Sequence, residues 1–503
     1  MRNKLIKNTL FGGSETFVIT LIWFILTPYM IHKLGKDAFG IYSFLTVFSL
    51  TGYVALLEFG IRASVIKFVA EYHAKKNFEK LNVVVNTSLL ALFISGGIAG
   101  IGLFFFAKYL VVKLFHIPPE YAGVTRILLY LLAFQLFWLF PSLIFNAIME
   151  GLQKYGVLKG IFIVYDILLG VSIFLLLKFG YGLLALGILG LVLVSIRTTI
   201  ITFFGYRLLP SLKLSLNWLQ PSMIREHFRL SKHLFLSRIV GLIFNRTDKI
   251  LIGLFLVISA LAEYEIVLRF HQIIAVILAF MNSAVLPATS QLEAENNLEK
   301  LQKLFLQGTK YSVALTLPII IVVLIFLRQF LRLWIGKEFT HLTLPGQIFV
   351  SHFFFSATIA LGSTMLVGLN KMKPALKISG IGAVFNLMFS IIAIRFLGLL
   401  GLILGTVLAH IFIWYPYLAY ILRVLRLSWG EFFKKIVIRP YTLAAFFALV
   451  VVVCSRFIIL HNLFEFLLMA AGLVLIYYVV FFFLGLERKE HQYFYDIVKT
   501  KLV

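Results

Sequence analysis

Apolar runs long enough to cross a bilayer recur along almost the whole of this chain. A spanning helix needs roughly 20 predominantly apolar residues. Fourteen stretches meet that length, near 11–32, 38–60, 83–107, 124–149, 155–177, 181–206, 233–257, 261–288, 309–333, 345–368, 374–396, 398–422, 440–460 and 463–485. The pairs at 155–206 and 374–422 are separated by so little polar sequence that twelve or thirteen spans would also fit. A water-soluble fold could not cover this much apolar surface, since 61% of residues are hydrophobic and only 13% charged. Helices satisfy their backbone hydrogen bonds within one segment, so an all-α polytopic membrane protein is expected. The formal net charge of +25 would suggest nucleic acid in a soluble protein. Here the charge sits in short loops between apolar runs, and no nucleic-acid partner is expected.

Lys and Arg set the orientation of such a chain. With the N-terminus inside, the cytoplasmic segments hold 31 of the 46 Lys and Arg residues and the outer loops hold 11. Both termini are therefore expected in the cytoplasm, in a multi-pass protein of the cell membrane. The basic-then-apolar start "MRNKLIKNTLFGG" imitates a signal peptide. Its apolar run continues to Ile31 without a small-residue cleavage site, so it reads as a retained first span. The lone Cys454 excludes an internal disulfide and a Cys-based metal site.

One polar phrase is written twice. "AKKNFEKL" at 74–81 and "AENNLEKL" at 294–301 agree at five of eight positions, 220 residues apart. The match extends outward: Tyr42 pairs with Tyr264 at an offset of 222, "GLQK" at 151–154 with "GLNK" at 368–371 at 217, and Lys178–Phe179 with Arg395–Phe396 at 217. Basic inner loops explain the Lys residues but not the constant spacing. The chain is thus expected to be two six-helix repeats plus two C-terminal helices. Six is even, so the repeats relate by a pseudo-two-fold axis along the membrane normal. The expected parts are an N-terminal half at 1–208, a cytoplasmic linker at 209–232, a C-terminal half at 233–425, two extra helices at 426–485 and a cytoplasmic tail at 486–503. Paired halves of this kind suit a transporter working by alternating access.

"LLEFGIRASVIKFVAEYHA" (56–74), "MEGLQKYG" (149–156), "NRTDKILIG" (245–253) and "AEYEIVLRF" (262–270) occur in that order along the helical plan. In these stretches the chain resembles the polysaccharide-transporter branch of the multidrug/oligosaccharidyl-lipid/polysaccharide exporter superfamily. That branch includes O-antigen flippases and, more distantly, the lipid II flippase. The resemblance implies movement of undecaprenyl-diphosphate-linked oligosaccharide from the inner to the outer leaflet of the cytoplasmic membrane. It also implies association with polysaccharide assembly proteins. Many members carry Asp where Glu58 stands here, a departure that keeps the charge.

Ionisable residues within spans are costly and mark functional candidates. The seventh span carries Arg246, Asp248 and Lys249. Arg246 and Lys249, three apart, share a face, while Asp248 points roughly 200° from Arg246. Two cations there, with their one carboxylate facing away, call for an anion, and a diphosphate suits a forked Arg contact. The expected substrate-binding residues are Arg246 and Lys249, with Arg269, Arg197 and Arg62 contributing. Glu265 and Arg269, four apart, suit an internal pair, as do Glu58 and Arg62 at the end of the second span. Asp166 lies central in the fifth span. Asp248, Glu265 and Glu58 are the candidates for coupling transport to H+ or Na+; no cofactor is expected. His271, His352 and His410 lie on separate helices without ligand spacing, so no metal site is expected. Pro28, Pro141, Pro318 and Pro416 are expected to kink spans, and the basic segment 61–82 to join two helices.

Two other functions fit the same helices. An ion-coupled exporter of small amphiphiles or drugs would share the plan but should carry an acidic cavity. A membrane glycosyl polymerase or transferase needs paired carboxylates or an activated nucleophile, and the longest outer loop offers only Glu120. No enzyme activity is therefore expected, and no Gly-rich phosphate loop points to ATP. A monomer embedded among membrane lipids is the expected working unit.

Overall fold

The computed structural model describes residues 2–50, 52–283, 285–458, 460–488 and 490–492. Among them the only regular structure is helical. The helices are α1 (Arg2–Leu34), α2 (Lys36–Leu45), α3 (Ile61–Ala74), α4 (Phe78–Tyr109), α5 (Pro119–Gly151), α6 (Tyr155–Lys178), α7 (Leu183–Arg207), α8 (Ser222–Phe255) and α9 (Ala260–Ser283). They continue as α10 (Val285–Ala294), α11 (Leu298–Trp334), α12 (Thr343–Ser351), α13 (Phe353–Gly368), α14 (Met372–Leu425), α15 (Trp429–Phe432), α16 (Arg439–Ser455) and α17 (Leu463–Val480). Pro28, Pro141, Pro318 and Pro416 all lie inside helices, in α1, α5, α11 and α14.

Twelve helical segments among the described residues are long and apolar enough to cross a membrane. Two differences separate this set from the fourteen runs expected. Runs 374–396 and 398–422 form one continuous α14, interrupted only where Gly398 adopts φ 55, ψ −134, a backbone conformation that side chains with a Cβ avoid. The seventh run lies in α8, which is long enough to span but carries Arg238, Arg246, Asp248 and Lys249, too many charges for an apolar segment. Counting α14 twice and α8 on its length restores fourteen. Side chains such as Phe105, Phe134, Phe396 and Phe457 are 73–81% exposed, which lipid tolerates and water would not. The protein is a multi-pass membrane protein.

The chain forms two compact units, one of residues 1–269 with 387–402 and one of 270–386 with 403–503. In the first, α4 runs along α5, α5 also meets α3 and α7, and α1 packs on α6. In the second, α11 is the central helix, touched by α10, α12, α13, α16 and α17. Its buried side chains include Phe305, Val313, Leu317, Phe326 and Leu331.

The doubled phrase is the same turn made twice. Asn77 caps α4 by accepting from the Lys80 amide at 3.1 Å, and Asn297 caps α11 by accepting from the Lys300 amide at 3.0 Å. The preceding residues, Lys76 and Asn296, are both left-handed, with φ 53 and 51. The Asn77 amide donates to the Tyr72 carbonyl at 2.9 Å, and that of Asn297 to Leu292 at 3.1 Å. The repeat also reaches into packing. A Cβ on Gly151 would sit 2.9 Å from the Ile66 carbonyl oxygen and 3.0 Å from Val69 Cβ. One on Gly368 would sit 3.3 Å from the Leu286 carbonyl oxygen and 2.9 Å from Thr289 Cβ, the positions 220 residues on. Both glycines are thus required by close helix approach.

The first unit also holds the segment that follows α7. Asn82 on α4 donates to the Ser211 carbonyl and accepts from the Lys213 amide; Asn86, one turn on, donates to the Lys213 carbonyl and accepts from Ser215. His227 on α8 then sits between Ser64 Oγ (2.6 Å) and Ser88 Oγ (2.9 Å). Segment 61–82 is therefore more than a joint, since α3 and the start of α4 anchor the connection to α8. Burial lowers the His227 ring to about 4, so it stays neutral when folded while the unfolded chain takes up a proton below about 6.5. The unfolded state then binds more protons, and stability should fall as pH drops from about 6.5 toward 4. His227→Asn should flatten that decline in melting midpoints compared at pH 7 and pH 5.

Candidate functional site

The intramembrane charges gather where α8 meets α2 and α9. Lys249 on α8 and Glu265 on α9 are buried against each other as an ion pair. Lys249 Nζ also donates to Ser43 Oγ at 3.0 Å and Thr46 Oγ1 at 3.2 Å. Glu265 accepts from Ser43 Oγ at 2.5 Å and pairs through its second oxygen with Arg269 at 2.7 Å. Arg269 donates onward to Thr27 Oγ1 at 3.0 Å and lies over the Trp23 ring, 5.6 Å from its centroid. One carboxylate is thus held by two cations and a hydroxyl, which is how a buried charge becomes tolerable. Ser43 and Glu265 follow the paired Tyr42 and Tyr264, so equivalent positions of the repeat bond to one another.

Asp248, next to Lys249 on α8, also meets α9, accepting from the Tyr264 hydroxyl at 2.7 Å. Thr247 is hydrogen-bonded to Tyr53. Arg246 differs from its neighbours: it is half-buried and makes no hydrogen bond or ion pair with a described residue. It lies close enough to Lys249, Tyr264 and Arg269 to act on them electrostatically. Three cations, Arg246, Lys249 and Arg269, thus face two carboxylates, Asp248 and Glu265.

The structure corrects two sequence expectations. Arg246 and Lys249 are not equivalent free cations, because Lys249 is committed to Glu265, a partner on another helix. Glu58 and Arg62 do not pair: Glu58 takes Arg238 at 2.8 Å and Arg62 takes Glu150 at 2.6 Å. The cause is the backbone between them, where Phe59 and Gly60 are both left-handed and break the helix that would have aligned them. The histidines, which have no ligand spacing in the sequence, come together in space: His352 stacks on His410 with centroids 4.3 Å apart and lies 5.1 Å from His271. No group of three or more His, Cys, Asp or Glu among the described residues could hold a metal ion.

Other candidates fall elsewhere. Arg197 on α7 stacks over Tyr165 and Phe162 of α6, at 4.2 and 4.9 Å from the ring centroids. The expected Glu265–Arg269 pair is present. Residues the sequence did not single out are Ser43, Thr46 and Thr27, which complete the cluster, and the buried Lys310–Glu490 pair at 2.7 Å. Only Ser43 left a signal, since it adjoins the repeat-paired Tyr42.

The family model described as polysaccharide biosynthesis protein matches residues 5–293, more than half of the chain. The chain belongs to this polysaccharide biosynthesis protein family. A second family model, MatE, matches residues 234–392. A Shigella flexneri protein named as an O-antigen transporter is 24% identical over 398 residues, 73% of this chain and 87% of that protein. A Haloferax volcanii protein named as a low-salt glycan biosynthesis flippase is 25% identical over 199 residues, 39% of this chain and 42% of that protein. This member of the polysaccharide biosynthesis family also shares its fold with the lipid II flippase MurJ in an inward closed conformation, at a TM-score of 0.71 and 15% identity, covering 95% of this chain and 99% of that one. The inward-facing form of a multidrug resistance MATE transporter gives 0.63 at 16% identity, covering 82% and 95%.

Proposed function

We propose that the protein is a flippase that carries a lipid-diphosphate-linked oligosaccharide from the inner to the outer leaflet of the cytoplasmic membrane by alternating access. The observation that carries this reading is the charged cluster at α8 and α9, where Arg246 stands uncommitted beside Lys249 and Arg269. A diphosphate is the part of such a lipid that needs cations at membrane depth, and Arg offers it a planar fork. The relatives named as an O-antigen transporter and a glycan biosynthesis flippase support the sugar-lipid class.

A second reading, export of small amphiphiles or drugs, is favoured by the MatE match and the MATE-type fold. The two separate on charge, because a cationic drug would meet three cations against two carboxylates. Reconstituted vesicles supplied with a lipid-diphosphate sugar or a cationic dye decide between them. Flipping of the sugar lipid without dye transport is the expected result; dye transport alone overturns the proposal.

The orientation has its own test. Lys75 and Glu295, exposed equivalents in the doubled turn, are both assigned to the cytoplasm. In a background with Cys454 replaced by Ser, Lys75→Cys and Glu295→Cys should react with an impermeant maleimide only in permeabilised or inverted membranes. Labelling of either from outside intact cells would reject the arrangement.

A further inference from the structure

The charged cluster shares a wall with an apolar cavity. The cavity measures about 150 Å³ and lies between α2, α5 and α7. Thr46 belongs to both, since it lines the cavity and its hydroxyl accepts from Lys249. The opposite walls are Leu128 and Leu132 of α5 and Leu186 of α7. Gly190 leaves a gap there, for a Cβ on it would meet nothing within 4 Å. On the α5 wall one polar side chain interrupts the leucines. Gln135 is 8% exposed, lines the cavity, and its Nε2 has no hydrogen-bond partner. A buried amide donor left unmade is costly, so this one marks a place for an acceptor.

We propose that this cavity receives the first isoprene units of a polyprenyl-diphosphate carrier, with the Gln135 amide donating to the phosphoester oxygen that joins chain to diphosphate. The inference rests on the diphosphate reading of Arg246 and adds what that reading lacks. A diphosphate is covalently bound to an apolar chain, so whatever holds the anion must offer the neighbouring carbons an apolar surface within a few bonds. The leucine wall reached past Thr46 does so. The Gln135 amide would then meet the ester oxygen, the first acceptor on passing from the hydrocarbon to the diphosphate.

Direct binding to the purified full-length protein in detergent tests this, with inorganic diphosphate and farnesyl diphosphate as probes. Farnesyl diphosphate should bind at least about tenfold tighter than inorganic diphosphate, as burial of a few carbons implies. Gly190→Leu, whose Cβ meets nothing within 4 Å, should abolish that excess and leave inorganic diphosphate binding unchanged. Gln135→Leu should reduce the excess. Equal binding of the two probes, or an excess that survives Gly190→Leu, overturns the cavity assignment while the diphosphate reading stands. Gly190-sensitive farnesyl binding without inorganic diphosphate binding overturns the diphosphate reading and keeps the cavity. Folded protein that binds neither probe removes both.

Discussion

Glu265→Gln should be among the most destabilising single changes this protein can carry, losing about 3–5 kcal/mol. The substitution preserves shape and removes one charge. It leaves Lys249 and Arg269 buried without the carboxylate that both of them grip. The Ser43, Thr46 and Thr27 oxygens remain as acceptors, but hydroxyls do not offset a lost counter-charge in a low-dielectric interior. Removing a cation as well should restore part of the loss, because Glu265→Gln with Lys249→Met leaves one uncompensated charge in place of two. Melting midpoints of detergent-solubilised protein, read with the yield of monodisperse material, give both quantities. A Glu265→Gln protein as stable as the wild type would mean that water solvates these charges and that the cluster is an open site.

That expectation depends on a contact the sequence does not reveal. Glu265 and Arg269 are four apart on one helix, and helical periodicity is enough to pair them. Lys249 reaches Glu265 from a different helix, and the rotation of α8 against α9 is set by packing, not by spacing. The same limit applies to Glu58, whose partner Arg238 is 180 residues away, while the nearer Arg62 is turned aside by the left-handed Phe59 and Gly60. The repeat was legible for the opposite reason. "AKKNFEKL" and "AENNLEKL" encode a local event, a left-handed residue followed by an Asn cap, and local chemistry is readable wherever it is written. Constant offset carried that local match to Gly151 and Gly368, each pressed against the same two positions of its neighbouring helix. Apolar run length located the spans for the same reason, and departed from the structure at α14, where a single glycine replaces a loop, and at α8, whose charges set it apart from the apolar spans.

Arg246→Ala should separate function from folding, which no variant of Lys249 can do. Lys249 is the partner of a buried carboxylate, so its loss strands Glu265 with Arg269 alone and lowers stability along with any binding. Arg246 has no such obligation among the described residues and is half-buried at the edge of the cluster. Its removal even relieves repulsion, since it lies near two other cations. The melting midpoint of Arg246→Ala should therefore match or slightly exceed that of the wild type. If the side chain meets a phosphate, affinity for a lipid-diphosphate sugar should fall about ten- to a hundredfold, the loss of a charge-assisted interaction of roughly 1.5–3 kcal/mol. Arg246→Lys should recover only part of it, because an ammonium cannot reproduce the planar fork. Flipping rate and melting midpoint measured on one preparation decide the matter. Normal flipping by stable Arg246→Ala protein would show that the surplus charge serves something other than the substrate's phosphates.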